Sequence, residues 1–256
     1  MQLRDAAEAL GVHYQTAYAW VRQGTLPARK TPRGYEVAEN DVHELLARRA
    51  AGTGPRQEVR VRDWEAQATR FYAALAGGDE VQARHDFERL AAGVPLTELC
   101  DQLIGPALRR VGTQWAAGEL SVAAEHRASA ICERLVGSRL HQPQGRPRGV
   151  AVTTTPPGER HGLPALMAAA CLREDHWQVH HLAADLPVSD LVGLAGDTRA
   201  TLVVLSAATT SAARLAAREA REIRDRLPGA RILAGRPGDT LARLRELARS
   251  RRPEPR

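Results

Sequence analysis

Residues 149–164 read "GVAVTTTPPGERHGLP" and run directly into 165–174, "ALMAAACLRE". The first half is a short apolar, β-branched run closing on Thr-Pro, the pattern of a buried strand and its exit. The second half carries apolar residues at helical spacing and predicts a helix over about 162–175. Strand, loop and helix together make the opening unit of a parallel sheet, with Glu159 and His161 in the loop. The rest of the C-terminal segment repeats that unit. Strands at Val150–Thr154, His180–Ala184 (with Trp177–Val179 leading in), Thr201–Ser206 and Ala230–Ala234 alternate with helices near 188–198, 211–227 and 238–250. Such alternation predicts a parallel sheet with helices on both faces. Ligands of these sheets sit at the carboxyl ends of strands, where strand order reverses. His161 follows the first strand, Ser206 ends the third, and "LAGRPGDT" follows the fourth, so the three loops should converge.

Upstream, "HQPQGRPRG" reads as a linker, and 59–140 is nearly all helical in pattern, broken at "AGGD", "AGVP" and "AAGEL". Helices near 62–77, 79–92, 96–116 and 121–140 predict a four-helix bundle. Leu75, Val81, Phe87, Leu90, Leu96, Leu99, Leu103, Ile104, Leu108 and Val111 are its expected core-facing positions. Trp115 lies near the end of the third helix, Gly118 breaks it, and Ser121 caps the fourth. Glu125 and His126 then fall about one turn into the fourth helix. An aromatic, a carboxylate and an imidazole are thereby gathered near one helix–helix corner.

A second Gly/Pro linker, "RRAAGTGPRQ", sets off the N-terminal segment. The expected domains are therefore 1–50, 59–140 and 149–252. In the first, Ala6, Ala7, Leu10, Val12, Ala17, Trp20 and Val21 mark two short amphipathic helices. Gly11 suits the tight turn between them, where a positive φ is needed. The second helix, about His13–Gln23, offers Tyr14, Gln15, Tyr18 and Arg22 to base edges and phosphates. After Gly24 comes the basic hairpin "LPARKTPRGYEV" and then a helix, "ENDVHELLARR". That order, a helix-turn-helix with a basic wing, resembles the N-terminal domain of MerR-type regulators and the related excisionase-like domains. The resemblance assigns Arg29, Lys30, Arg33 and Tyr35 to the wing that grips the backbone of double-stranded operator DNA.

Bulk composition narrows the rest. With 43% hydrophobic and 26% charged residues, the chain has the makeup of a soluble globular protein. No apolar run approaches the roughly 18 residues of a membrane helix, and no signal-peptide pattern opens the chain, so a cytoplasmic location is expected. A formal charge of +6 favours an anionic partner. The three cysteines, Cys100, Cys132 and Cys171, are too scattered for a zinc site or a disulfide framework. Neither GxGxxG nor GxxxxGK[ST] occurs, which excludes the usual dinucleotide and P-loop readings. "LSAAT" is not a nucleophile elbow, and an enzyme is not expected.

The middle and C-terminal segments together resemble the cobalamin-binding module, a four-helix cap followed by a Rossmann-like domain. Its signature is DxHxxG, then SxL or a relative, then GG. Here Glu159-x-His161 stands in the first slot, Ser206-Ala207-Ala208 in the second, and Ala234-Gly235 in the third. Trp115-x9-Glu125-His126 resembles the further signature of the adenosylcobalamin photoreceptor regulators of the CarH and LitR type, and the MerR-like segment completes their three-part architecture.

The resemblance implies His161 as the lower axial ligand of cobalt, with Glu159 accepting its other ring N–H. It implies a channel at Ser206 and Gly235 for the nucleotide tail, and an upper face covered by Trp115 and Glu125, with His126 a candidate substitute upper ligand. It implies a homo-oligomer, dimer or tetramer, that represses transcription in the dark and leaves DNA in light. Three positions depart from the pattern. Ala116 stands where light-sensing members carry a cobalt-capturing histidine, Pro164 replaces the final Gly of DxHxxG, and Ala234 replaces the first Gly of GG. Two other readings remain open at this point: a regulator of the same architecture sensing another ligand or partner without cobalamin, and a corrinoid carrier for a methyltransferase.

Overall fold

The structure, a computed structural model, describes residues 1–12, 14–22, 24–32, 34–50, 63–140 and 145–250; of Gln15, Ala19, Arg49 and Ala50 it describes the backbone alone. Residues 51–57 of the first expected linker, 141–144 of the second and the last residues of the third expected domain lie outside these ranges. Two compact units hold the described elements, one N-terminal and one carrying everything from residue 63 on apart from the short 92–94 segment.

In the N-terminal unit, α1 (Leu3–Ala9) and α2 (Tyr14–Arg22) are joined by a tight turn in which Gly11 takes φ 64°. A side chain there would be strained in the left-handed region. β1 (Arg29–Thr31) and β2 (Gly34–Glu36) form an antiparallel hairpin with Arg29 opposite Glu36, and α3 (Glu39–Ala50) closes the unit. Its core is small, built on Leu3, Ala6, Leu10, Ala17, Trp20, Leu26, Val42 and Leu45. His13, Gln23 and Arg33 lie outside the described residues.

The larger unit opens with α4 (Trp64–Gly77) and α5 (Glu80–Ala91). A third rod follows, made of α6 (Leu96–Leu99), a π-helical turn at Cys100–Ile104 and α7 (Gly105–Ala116), and then α8 (Val122–Gly137). Asp63 caps α4 by accepting the Ala66 N–H, Gly78 ends it at φ 77°, and Ser121 caps α8 by accepting the Ala124 N–H. Phe71, Leu75, Phe87, Leu99, Leu103, Ile104, Ile131 and Leu135 fill the space between the rods. Val81 is not among them: it is 80% exposed. The buried stripe of α5 runs through Ala83, Asp86, Phe87 and Leu90, and at 100° per residue position 81 falls on the opposite side.

Four parallel strands follow: β3 (Val150–Thr154), β4 (Gln178–His181), β5 (Leu202–Leu205) and β6 (Arg231–Ala234). They are ordered β4-β3-β5-β6. Between them run α9 (Leu163–Glu174), α10 (Val188–Asp197) and α11 (Thr210–Arg226), with α12 (Leu241–Arg249) last. Ala151, Val179, Leu202 and Val204 face α9 and α12, whereas Val152, Val203, Leu205 and Ile232 face α10 and α11. The second strand sits two residues earlier than the expected His180–Ala184. Its parallel register, Val150 beside Gln178 through Thr153 beside His181, ends the ladder at His181. The chain then turns through left-handed residues at Ala183 and Asp185.

The helical layer is fastened to the sheet layer by exchanged caps. α8 and α6 pack on α9, and α6 also on α12. Glu174, at the end of α9, accepts the Leu96 N–H that opens α6, at 3.2 Å. Asp101, in the π-helical turn, accepts the Leu241 and Ala242 N–H groups that open α12, at 2.8 and 2.9 Å. Each carboxylate thus satisfies orphan donors at the positive end of a helix in the other layer.

Next to this junction Asp175 is 3% exposed and receives Arg249 at 2.7 and 2.9 Å and Arg245 Nε at 2.7 Å. Burial works to raise its pKa, but the two guanidinium groups outweigh burial and hold it below the ordinary Asp value. A depressed carboxyl contributes stability that is present above its unfolded pKa and is lost as pH falls through the folded one. Asp175→Ala is therefore expected to cost about 2–3 kcal/mol at neutral pH. The variant should also lose part of the acid sensitivity expected below about pH 4. Urea titrations at pH 7 and pH 3 check both; an unchanged midpoint at pH 7 would contradict the assignment.

Candidate cofactor site and DNA-facing surface

The order β4-β3-β5 means that the chain leaves β3 to one side and later returns to its other side. The loops after β3 and β5 therefore meet at the carboxyl edge. Glu159, in the first of these loops, is the point of contact. Its Oε2 accepts the Ala208 N–H at 3.2 Å and the Thr209 hydroxyl at 3.4 Å, both from the loop after β5. Its Oε1 accepts the His161 N–H at 2.9 Å and the His161 ring nitrogen Nδ1 at 2.5 Å. A carboxylate only accepts, so Nδ1 donates this bond, which leaves Nε2 as the ring nitrogen available to a ligand. Burial pushes the Glu159 carboxyl up, but the bonds from His161 and Ala208 prevail and hold it below the ordinary Glu value, so it stays charged near neutrality.

Exposure divides the pair: the Glu159 side chain is 3% exposed and that of His161 65%. A buried anion fixes one nitrogen, and the other is left open to solvent. This is the arrangement in which a histidine binds a metal through Nε2 with its tautomer and tilt set from behind.

A cavity of about 110 Å3 lies at the ends of β5 and β6, between α9 and α12. Ser206, Ala207, Ala234, Gly235, Pro164 and Ala168 are on its walls. The small residues matter at Gly235, where a Cβ would stand 3.3 Å from the Leu205 carbonyl. Ser206 is buried at the end of β5. Pro164 occupies the first turn of α9, where backbone N–H groups lack helical partners, so the ring costs no hydrogen bond. Ala234 is accommodated as the last residue of β6.

The helical layer brings Trp115, Glu125 and His126 to the α7–α8 corner. Trp115 is 48% exposed, unlike the buried Trp20 and Trp177, and Val122 beside the turn is 55% exposed. Glu125 accepts Ser129 Oγ at 2.9 Å through Oε1 and His126 Nδ1 at 2.6 Å through Oε2. This is a second carboxylate–imidazole pair with an exposed ring, but both partners are more solvated than at Glu159. Ala116 is exposed and offers no ligating atom.

Residues that no sequence motif singles out also build the site. Thr155 Oγ1 donates to the Glu159 carbonyl at 2.6 Å, and Thr209 both caps α11 and reaches Glu159. Thr209 was legible as a cap signal ahead of α11; its bond to Glu159, 50 residues away, was not.

On the N-terminal unit, Tyr14 and Tyr18 of α2 stack with ring centroids 6.4 Å apart, and Tyr18 meets Tyr35 of β2 edge-on at 5.6 Å. The three rings couple the second helix of the helix-turn-helix to the hairpin. Tyr14, Arg22, Arg29 and Lys30 are exposed, and Tyr18 is half-buried against the core. Arg29 pairs across the hairpin with Glu36 at 3.0 Å. The side chain of Gln15, and all of Arg33, lie outside the described residues.

Comparison with known proteins agrees with this arrangement. Residues 1–50 match the model of a helix-turn-helix domain, and residues 67–139 and 149–248 match models of B12 binding domains. The HTH-type transcriptional repressor CarH of Myxococcus xanthus is 29% identical over 219 residues, 74% of this chain and 73% of the relative. The HTH-type transcriptional repressor CarA of the same organism is 28% identical over 228 residues, 80% and 76% of the two chains. Among solved structures, the monomethylamine corrinoid protein of Methanosarcina barkeri superposes with a TM-score of 0.54 at 18% identity. That match covers 72% of this chain and 97% of the other, a likeness of fold. The chain thus matches a helix-turn-helix domain model followed by two B12 binding domain models, and it is similar over most of its length to the CarH and CarA repressors.

Proposed function

We propose that this protein is a cobalamin-dependent transcriptional repressor of the CarH and CarA kind, with adenosylcobalamin as its ligand and light as its signal. Residues 1–50 bind operator DNA, 59–140 cover the upper face of the corrin, and 149–252 hold the lower face. The observation that carries the reading is the Glu159–His161 pair. It is an exposed imidazole fixed by a buried carboxylate at the sheet's switch point, with small residues at Ser206, Ala207, Ala234 and Gly235 on the walls of the cavity at the ends of β5 and β6. These residues fit a cobalt corrinoid, which needs one histidine below the metal and room for its nucleotide tail. When bound, adenosylcobalamin supplies a cobalt–carbon bond that visible light cleaves.

The chain's own residues do the rest. His161 ligates through Nε2 while Glu159 holds the Nδ1 proton. Ser206, Ala234 and Gly235 leave the nucleotide slot open. Trp115 would pack on the adenosyl group and Glu125 would bond its polar edge, with His126 next to Glu125 as a substitute ligand for cobalt on that side. Because these three sit at the α7–α8 corner and α8 packs on α9, occupancy of the upper face favours one arrangement of the helical layer, a population shift. That arrangement assembles the homo-oligomer, dimer or tetramer. Several helix-turn-helix units then act together, which multiplies a weak single contact through effective concentration.

Three experiments test this. Protein mixed with adenosylcobalamin in the dark and desalted should retain corrin absorbance, and illumination should change both spectrum and elution volume. A desalted protein without corrin absorbance would refute cobalamin as the ligand; retention with no change in light would remove light as the signal. His161→Ala should bind at least about tenfold more weakly, and wild-type affinity and spectrum in that variant would overturn the ligand assignment. In the DNA-facing unit, replacing Arg29 and Lys30 by Ala should reduce the slope of log K against log salt by about two, near 0.9 for each phosphate no longer neutralised. An unchanged slope would exclude the hairpin from binding the DNA backbone.

A further inference from the structure

The loop carrying His161 has no regular structure between β3 and α9, yet it is tied at several points to the loop between β4 and α10. Asp185 makes two of those ties. Its Oδ1 accepts the Gly158 N–H at 2.7 Å, and its own N–H donates to Thr155 Oγ1 at 2.9 Å. The Thr155 hydroxyl has one proton to give; with Asp185 filling a lone pair, that proton points to the Glu159 carbonyl at 2.6 Å. Thr154 Oγ1 reaches the Ala183 carbonyl at 3.3 Å. Both sides of the Pro156–Pro157 turn are thus clamped from one residue, just ahead of Glu159 and His161.

The clamping loop is held in an unfavourable conformation. Ala183 and Asp185 have φ of 54° and 60°, the left-handed region that residues with a Cβ enter at a cost. Asp tolerates that region better than most. Such outliers persist where the surrounding structure over-determines them, and here the strained segment is the one that aims the Asp185 carboxylate at Gly158.

We propose that Asp185 is a positioning residue for His161. It fixes the backbone from Thr155 to Gly158 and so sets where the imidazole leaves the loop. Glu159 fixes the ring's tautomer and tilt; Asp185 fixes the ground Glu159 stands on. A metal–imidazole bond tolerates displacements of only about half an ångström, so a loosened loop loses ligation before it loses its fold. The inference rests on the reading of His161 as the cobalt ligand.

The test uses the full chain loaded with cob(II)alamin and read by electron paramagnetic resonance, with and without 15N-histidine. A histidine nitrogen on cobalt splits the signal into a pattern that changes on labelling. Asp185→Gly removes the carboxylate while accepting φ 60° without strain, so folding is retained; Asp185→Asn keeps an acceptor oxygen in place. Wild type and Asp185→Asn should show the histidine splitting. Asp185→Gly should bind about tenfold more weakly and lose most of that splitting, with an unchanged melting curve. Thr155→Val, which removes the hydroxyl at the other end of the clamp, should behave like Asp185→Gly. Wild-type splitting and affinity in Asp185→Gly would overturn the proposal, as would an Asp185→Asn indistinguishable from Asp185→Gly. If instead wild type lacks the label-sensitive splitting, or His161→Ala retains it, the ligand assignment itself fails.

Discussion

One buried carboxylate organises the larger unit. Glu159 is an anion almost wholly out of water, which a protein tolerates only when the charge is met by donors. Four are supplied: two from His161 and two from the loop after β5. The two from the loop after β5 would be out of reach if the strands ran in another order, because the crossing from β4 back past β3 to β5 sets those two loops side by side. The sheet topology and the histidine's orientation are therefore a single constraint. A substitution that starves the carboxylate of donors would release the ring and unfasten the β3 and β5 loops together.

The two carboxylate–histidine pairs show how much burial adds to identical chemistry. Glu125 and His126 are neighbours on α8, both partly solvated, so their bond competes with water and holds the ring loosely. Glu159 is sealed beneath His161, and its bond has no such competition. The first pair suits a contact made and broken during a change of state. The second suits a fixed post.

Much of the plan was legible in the sequence because it is local. Gly11 and Gly78 end helices through their φ, Ser121 announces α8, and the apolar run at 150–154 is β3 itself, while that at 201–206 falls on β5 with its ends trimmed. His161 was legible from its place after the first strand. The errors came where a local pattern met a long-range rule. Val81 is apolar but lies on the wrong meridian of α5, and "HHLAAD" looks extended although the register with β3 ends the strand at His181. The hydrogen bonds that make the site, Glu159 to Ala208 and Asp185 to Gly158, span 49 and 27 residues. No periodicity or motif encodes partners so far apart.

The exchanged caps between the helical and sheet layers bear on how those layers can move. Glu174 holds the start of α6, and Asp101 holds the start of α12. Pulling the layers apart along this seam would strip two helices of their terminal partners in one stroke, beside the Asp175–Arg245–Arg249 cluster. A rearrangement that keeps these bonds must leave the seam in place and swing the far side of the helical layer about it. The seam is then the axle of the larger unit, and the α7–α8 corner with Trp115 is part of its rim.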